Sequence, residues 1–227
     1  MGLPVSALIA LEPILSGKKI LCLGYPDVIA LPEQIEEVLG ITPVKFTERG
    51  KVHGYNFPLP ESYSLFEKLG SELTCIDVVQ ITGKEKIVDL NYQHDLGKYD
   101  LVIDPGTCEH CFNIGQALFN CAHAVKDKGH IFHINPMNVM NHGFYNICPT
   151  LMHDFYEQNG WTVKMLDAVP MHPLEFHLTK RFYDGIEYNI YTLAERKGER
   201  AMQFPIQDKY YKRVHKTVQL QPNVKAA

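Results

Sequence analysis

The chain has 227 residues, 45% hydrophobic and 21% charged, with a net charge of −4. That is the profile of one soluble globular α/β domain large enough to bury a substantial core, and it gives no case for binding nucleic acid or an anionic membrane. The six cysteines are scattered singly apart from Cys108 and Cys111, which argues against a disulfide framework and for a reducing compartment such as the cytosol.

Residues 3–15 are apolar but short, contain Glu12 and Pro13, and lack a basic leader and a cleavage pattern. They predict a packing helix, not a signal peptide or membrane span. Residues 19–23 (KILCL) predict a short buried strand, closed by Gly24-Tyr25-Pro26-Asp27. A helix follows over 32–39, with Pro32 at its first turn and Gly40 as its stop. Residues 42–60, punctuated by three prolines and two glycines, predict an irregular insertion of the kind that serves as a lid or partner contact. Residues 61–69 predict a helix, and 73–79 and 87–90 two further strands.

The stretch 98–145 carries the most information. An apolar run at 101–103 ends in Asp104-Pro105-Gly106, a helix is expected over 114–125, and a Lys/Gly turn leads to a second apolar run at 130–134. The loop after it holds Asn141-His142-Gly143. A helix over 150–159 and strands over 161–166 and 187–194 complete the reading. Alternating strands and helices imply a parallel, doubly wound sheet, with antiparallel pairing possible at the C-terminal edge. Residues 1–202 are read as one domain and 203–227 as a polar, mildly basic tail. Within the tail, 209–216 alternates basic and aromatic residues, and a solvated terminus is favoured there over a nucleic-acid or partner contact.

The motifs Asp89-Leu90-Asn91, 104–113 (DPGTCEHCFN) and 141–146 (NHGFYN) resemble those of the class I S-adenosylmethionine-dependent methyltransferases, over roughly residues 19–167. They are closest to a methyltransferase-like group with DPGTxEHxFN and NHGFYN signatures. The resemblance implies a Rossmann-like, doubly wound seven-stranded mixed sheet, with S-adenosylmethionine lying across the ends of the first four strands. It implies Asp77 at the ribose hydroxyls, where a carboxylate can accept two donors. It implies Asp89 and Leu90 at adenine, and the turn Asp104-Pro105-Gly106 beside the methionine moiety. Gly24 and Tyr25 fall where the family has a glycine-rich loop. Here the chain departs, because only one glycine is present, Pro26 removes a donor, and Tyr25 has to turn away or stack.

Glu109 and His110 sit where a helix is expected to begin after the fourth strand. If both face the cleft, His110 takes a proton from an acceptor hydroxyl or amine and Glu109 orients it. The competing reading is that Glu109 favours a helix N-terminus and His110 caps or packs. Asn141 and His142 can donate to an oxygen-rich substrate, Gly143 permits a turn with positive φ, and Phe144 and Tyr145 form an aromatic wall. The C-x-x-C of Cys108 and Cys111 lacks the second ligand pair a structural zinc needs, so no metal site is read from it. His172 and His177, in a proline-flanked segment, suit a cover on the substrate side. The leading expectation is methyl transfer to a small polar acceptor, possibly a sugar or sugar-nucleotide. The alternatives are a non-catalytic scaffold with a degenerate cleft, or another use of a nucleoside ligand. Whether His110 and His142 share one open pocket discriminates enzyme from scaffold.

Overall fold

A computed structural model describes residues 2–139, 141–170 and 187–210. Seven strands form one sheet: β1 (Lys19–Leu23), β2 (Glu72–Asp77), β3 (Lys86–Ile87), β4 (Tyr99–Asp104), β5 (Val125–Pro136), β6 (Thr162–Pro170) and β7 (Tyr188–Glu195). Their spatial order is β6-β7-β5-β4-β1-β2-β3. Strands β1 to β5 pair in parallel, and β7 runs antiparallel to both β5 and β6. The doubly wound mixed sheet expected from the sequence is therefore present, with its antiparallel strand near the C-terminal edge.

Period-two alternation explains the two cores. Leu21, Leu23, Val102 and Ile131 face one way, onto α4 (Ile114–Ala124) and α5 (Pro149–Gln158). Ile20, Cys22, Leu101, Ile103 and Phe132 face the other way. They are covered by α1 (Val5–Leu15), α2 (Pro32–Leu39) and α3 (Ser62–Lys68). Both faces are buried, which is why these strands read as continuous apolar runs. All six cysteines are free thiols, and only Cys148 is exposed. No helix among the described residues is long and apolar enough to cross a membrane.

Four local features differ from the sequence reading. Strand β5 starts at Val125, because the predicted Lys/Gly turn is absorbed as an irregularity between the pairs Tyr99↔Val125 and Leu101↔His130. The chain after β1 forms no open loop; Asp27–Ile29 pairs in parallel with Gly2–Pro4. The insertion is partly ordered, with Phe46–Thr47 paired to Leu59–Pro60 and a 3₁₀ turn at Glu48–His53 between them. The start of the predicted tail packs on α5, where Asn159 Oδ1 accepts from the Gln203 N–H (2.7 Å) and Gln158 Oε1 from the Ile206 N–H (2.8 Å). Residues 211–227 of the tail lie outside the described residues.

The strand order reverses between β1 and β4. In open parallel sheets a ligand crevice forms outside the carboxyl ends at such a reversal.

Candidate active site

Asp104, the last residue of β4, is buried and organises this end of the sheet. One carboxylate oxygen accepts the backbone N–H groups of Thr107 (2.8 Å) and Cys108 (3.2 Å), which folds the chain into the 3₁₀ turn Cys108–His110. The other accepts from His133 Nδ1 (2.7 Å) and Asn135 Nδ2 (3.0 Å). With its Nδ1 proton committed to Asp104, His133 uses Nε2 to accept from the Tyr156 hydroxyl (2.6 Å). Burial pulls the Asp104 carboxyl up, but the hydrogen bond from His133, with those from Asn135 and the Thr107 N–H, overrides it and holds the group below the usual carboxylate range. The Asp104 side chain is therefore internal scaffolding, and of the expected turn only Pro105 and Gly106 reach the cavity.

Glu109 does not begin α4. It sits on the separate 3₁₀ turn, with its side chain fully buried. Asn135 Nδ2 donates to Glu109 Oε2 (2.9 Å) as well as to Asp104, so one amide ties the two carboxyl groups together. Among the described residues, Oε1 has no hydrogen-bond partner. It lies 3.6 Å from His142 Nε2 and 3.9 Å from His110 Nε2. Burial, with the Asp104 charge adding to it, pushes the Glu109 carboxyl up to about 8. The two imidazoles are half-exposed with ring centroids 5.0 Å apart. Burial and the neighbouring His142 lower the pKa of His110. Gly106 (φ +93°) leaves the room this needs, since a β-carbon there would sit 3.0 Å from Glu109 Oε1.

The loop after β5 is clasped onto this turn. The Phe144 N–H donates to the Glu109 carbonyl (2.9 Å), the Tyr145 hydroxyl donates to the Phe112 carbonyl (2.7 Å), and the Phe112 and Phe144 rings meet edge to face. Gly143 is needed here for close approach: a β-carbon would lie 3.0 Å from the Glu109 carbonyl oxygen and 3.2 Å from His110 Nδ1. Positive φ belongs instead to Asn141 (59°), contrary to the expectation for Gly143. Asn141 is exposed and does not line the cavity, and the Tyr145 hydroxyl is occupied by the backbone. Of the expected acceptor residues, His142 alone faces the cavity.

That cavity has a volume of about 680 Å³, within the usual range for small-molecule sites. Glu109, His110 and His142 line it together, so the two histidines do share one open pocket. Its opposite wall was not legible in the sequence. It is built by Ser6 and Ile9 of α1, by Ile29–Leu31, and by His53, Tyr55 and Phe57 of the insertion. The only available signal for that wall was the Tyr55/Phe57 spacing inside a long irregular segment. The insertion is pinned by buried Asp27, which accepts from Arg49 Nε (2.5 Å) and Nη2 (2.7 Å) and pairs with His53 Nε2 (2.8 Å).

The expected nucleoside residues lie apart from this cavity. Tyr25 turns into the core, 1% exposed, where its hydroxyl accepts the Ser62 N–H (2.8 Å). Gly24 is buried and its N–H is spent on the Ile76 carbonyl (2.6 Å). Both are buried and neither lines the cavity. Leu90 is core, and Asp89 Oδ1 accepts from the Asn91 backbone and side chain (2.9 and 2.8 Å). Asn91 in turn holds Asn113 at the start of α4. The DLN and FN motifs are thus joined to each other. Asp77 ends β2 half-buried; among the described residues its Oδ1 accepts one long bond, from the Val79 N–H (3.3 Å), beside exposed Val78 and Val79. His172 and His177 lie outside the described residues.

No family model matches the chain, and no curated protein matches it. Solved structures do match. A chain of the complex between the Haloferax volcanii Trm112 methyltransferase activator and a chain assigned as a methyltransferase aligns with TM-score 0.50 at 11% identity, over 85% of this chain and 88% of that one. Burkholderia thailandensis 1,6-didemethyltoxoflavin-N1-methyltransferase, solved with 1,6-didemethyltoxoflavin and S-adenosylhomocysteine, aligns with TM-score 0.48 at 13% identity, covering 85% and 79%. The O-methyltransferase of a Brevibacillus brevis trans-AT PKS multienzyme, with S-adenosylhomocysteine, aligns with TM-score 0.47 at 11% identity, covering 85% and 72%. Sheet order, strand sense and the first of these alignments together establish the fold as the Rossmann-like seven-stranded fold of class I methyltransferases.

Proposed function

We propose that this chain transfers the methyl group of S-adenosylmethionine to a small polar acceptor, with a sugar or sugar-nucleotide as the leading class. The observation that carries the reading is the convergence of Glu109, His110 and His142 on one cavity at the carboxyl ends of β4 and β5. Methyl transfer is an in-line displacement that needs alignment and a deprotonated nucleophile more than any covalent help from the protein. The cofactor, when bound, supplies an electrophilic methyl on a sulfonium. Two imidazoles and a carboxyl at a cavity wall are suited to hold an acceptor oxygen and receive its proton. Tyr55 and Phe57, with ring centroids 5.1 Å apart, offer a surface for a sugar or base ring.

For the nucleoside, Asp77 has carboxylate capacity to spare and sits beside an uncovered apolar ledge. Pro105 and Gly106 border the cavity, where the methionine end would enter. The Gly24 amide is spent on the Ile76 carbonyl, which favours holding this end by the β4 turn over a loop after β1.

The test is calorimetric titration with S-adenosylmethionine and S-adenosylhomocysteine, with Asp77→Ala alongside. Binding in the micromolar range that the substitution abolishes supports the reading and opens a screen of sugar acceptors for methylated product. No heat at millimolar ligand refutes it.

A further inference from the structure

We propose that Glu109, His110 and His142 form a binding site for one divalent transition-metal ion of the zinc class, with an open coordination position facing the cavity. Each residue can offer one ligand atom, and the three atoms lie within 4.8 Å of one another. The two carboxylate–imidazole separations, 3.6 and 3.9 Å, are a few tenths of an ångström wider than the roughly 3.4 Å between ligands of a tetrahedral ion with bonds of about 2.1 Å. A small rotation of the half-exposed imidazoles closes that difference.

An independent observation points the same way. Glu109 Oε1 is fully buried, has no hydrogen-bond partner among the described residues, and lies within 4 Å of both imidazoles. A buried carboxyl oxygen left without any partner is costly, and native structures seldom keep one without an ion, water or ligand to meet it. The other oxygen is fixed by Asn135, the outer-shell support that orients metal-ligating carboxylates. Gly106 and Gly143 keep side chains away from Oε1 and from His110 Nδ1. Two imidazoles and one carboxylate make a donor set that suits zinc or iron(II) better than magnesium or calcium. Three protein ligands with a fourth position open is the arrangement of catalytic zinc sites.

The other candidate clusters lack this feature. In Asp104, Cys108 and His133 the carboxylate and imidazole are already hydrogen-bonded, and the hydrogen bond with Cys121, together with burial, pushes the Cys108 thiol up. In His153, Asp154 and Asp208, Asp154 is taken by His153 and by the Asp208 N–H. At the site proposed, the three side chains would act through the ion in place of taking the proton themselves: an acceptor hydroxyl that replaces water on it would be held as alkoxide, its proton passing to solvent. That role rests on the methyl-transfer reading; the binding of the ion does not.

The experiment is titration of the full chain, stripped with chelator, with Zn²⁺ against a chromophoric competitor, and with Co²⁺ followed by its visible spectrum. The expected result is one ion per chain. His110→Ala and His142→Ala should each weaken binding at least about tenfold, since even loss of an outer-shell partner costs that much. Both histidines are half-exposed, so thermal melts of these variants should match the parent. His153→Ala should bind normally. No stoichiometric binding, binding indifferent to both site substitutions, or loss in His153→Ala alone overturns the proposal. S-adenosylhomocysteine titrated into stripped and Zn²⁺-loaded protein separates the two readings. Zinc bound at this site without the nucleoside supports the ion site and removes its place in methyl transfer.

Discussion

Replacing Arg49 by Met tests whether the ion pair to Asp27 holds the insertion against the sheet. Asp27 is 1% exposed and accepts both guanidinium bonds, whereas Arg49 keeps 22% of its side chain exposed. Breaking a buried pair by removing one partner costs about 3–5 kcal/mol. His53 remains as a second partner and water reaches the guanidinium side, so the expected loss is the smaller figure of about 2–3 kcal/mol. Urea denaturation at pH 7 reads it, and adding Asp27→Asn should restore part of the loss, because no charge is then stranded. The pH dependence has a definite sign. Burial raises the Asp27 carboxyl, but hydrogen bonds from His53 and Arg49 override it and leave the group below its ordinary value. Its stabilisation is therefore complete above the unfolded pKa of about 3.9 and is lost only as pH falls through the folded value. Parent stability should show no loss from this group between pH 7 and 5. Because His53, Tyr55 and Phe57 form a cavity wall, ligand affinity should fall with the same variant. A change in stability below about 0.5 kcal/mol would refute the reasoning, because that is the scale of an ordinary surface substitution.

Gly143→Ala places a methyl 3.0 Å from the Glu109 carbonyl oxygen, so the loop must lift from the 3₁₀ turn. Zn²⁺ affinity should drop while the melting temperature hardly moves; unchanged affinity would mean that the clasp does not align His142. Tyr156→Phe strips the hydroxyl that meets His133 Nε2 and leaves a buried acceptor unpaired, at a cost of about 1–3 kcal/mol in urea denaturation. A neutral result would show that the Asp104–His133–Tyr156 chain contributes little to stability.

Much of the framework was legible in the chain itself. The apolar run of β1 and the Pro32/Gly40 punctuation of α2 predict both elements with their observed bounds, because buried parallel strands need unbroken apolar residues and glycine accepts the left-handed cap at 40. Alternation of strands and helices determined the sheet class. It also determined that Glu109–His110 and His142 follow neighbouring strands, and hence emerge at the same end of the sheet. Local sequence carries no sign of lateral register, and the tertiary structure settled what depends on it. Asp104 lies beside His133 across β4 and β5, and that pairing turns an acid expected near a ligand into internal scaffolding. Tyr25 faces inward because Ser62 and the insertion cover it; an amphipathic ring gives no local sign of which way it will turn. The unpartnered Glu109 oxygen under two histidines exists only because residues 109 and 142 are brought into contact by the fold. Burial and hydrogen-bond satisfaction are properties of that contact, and no single segment of the chain contains them.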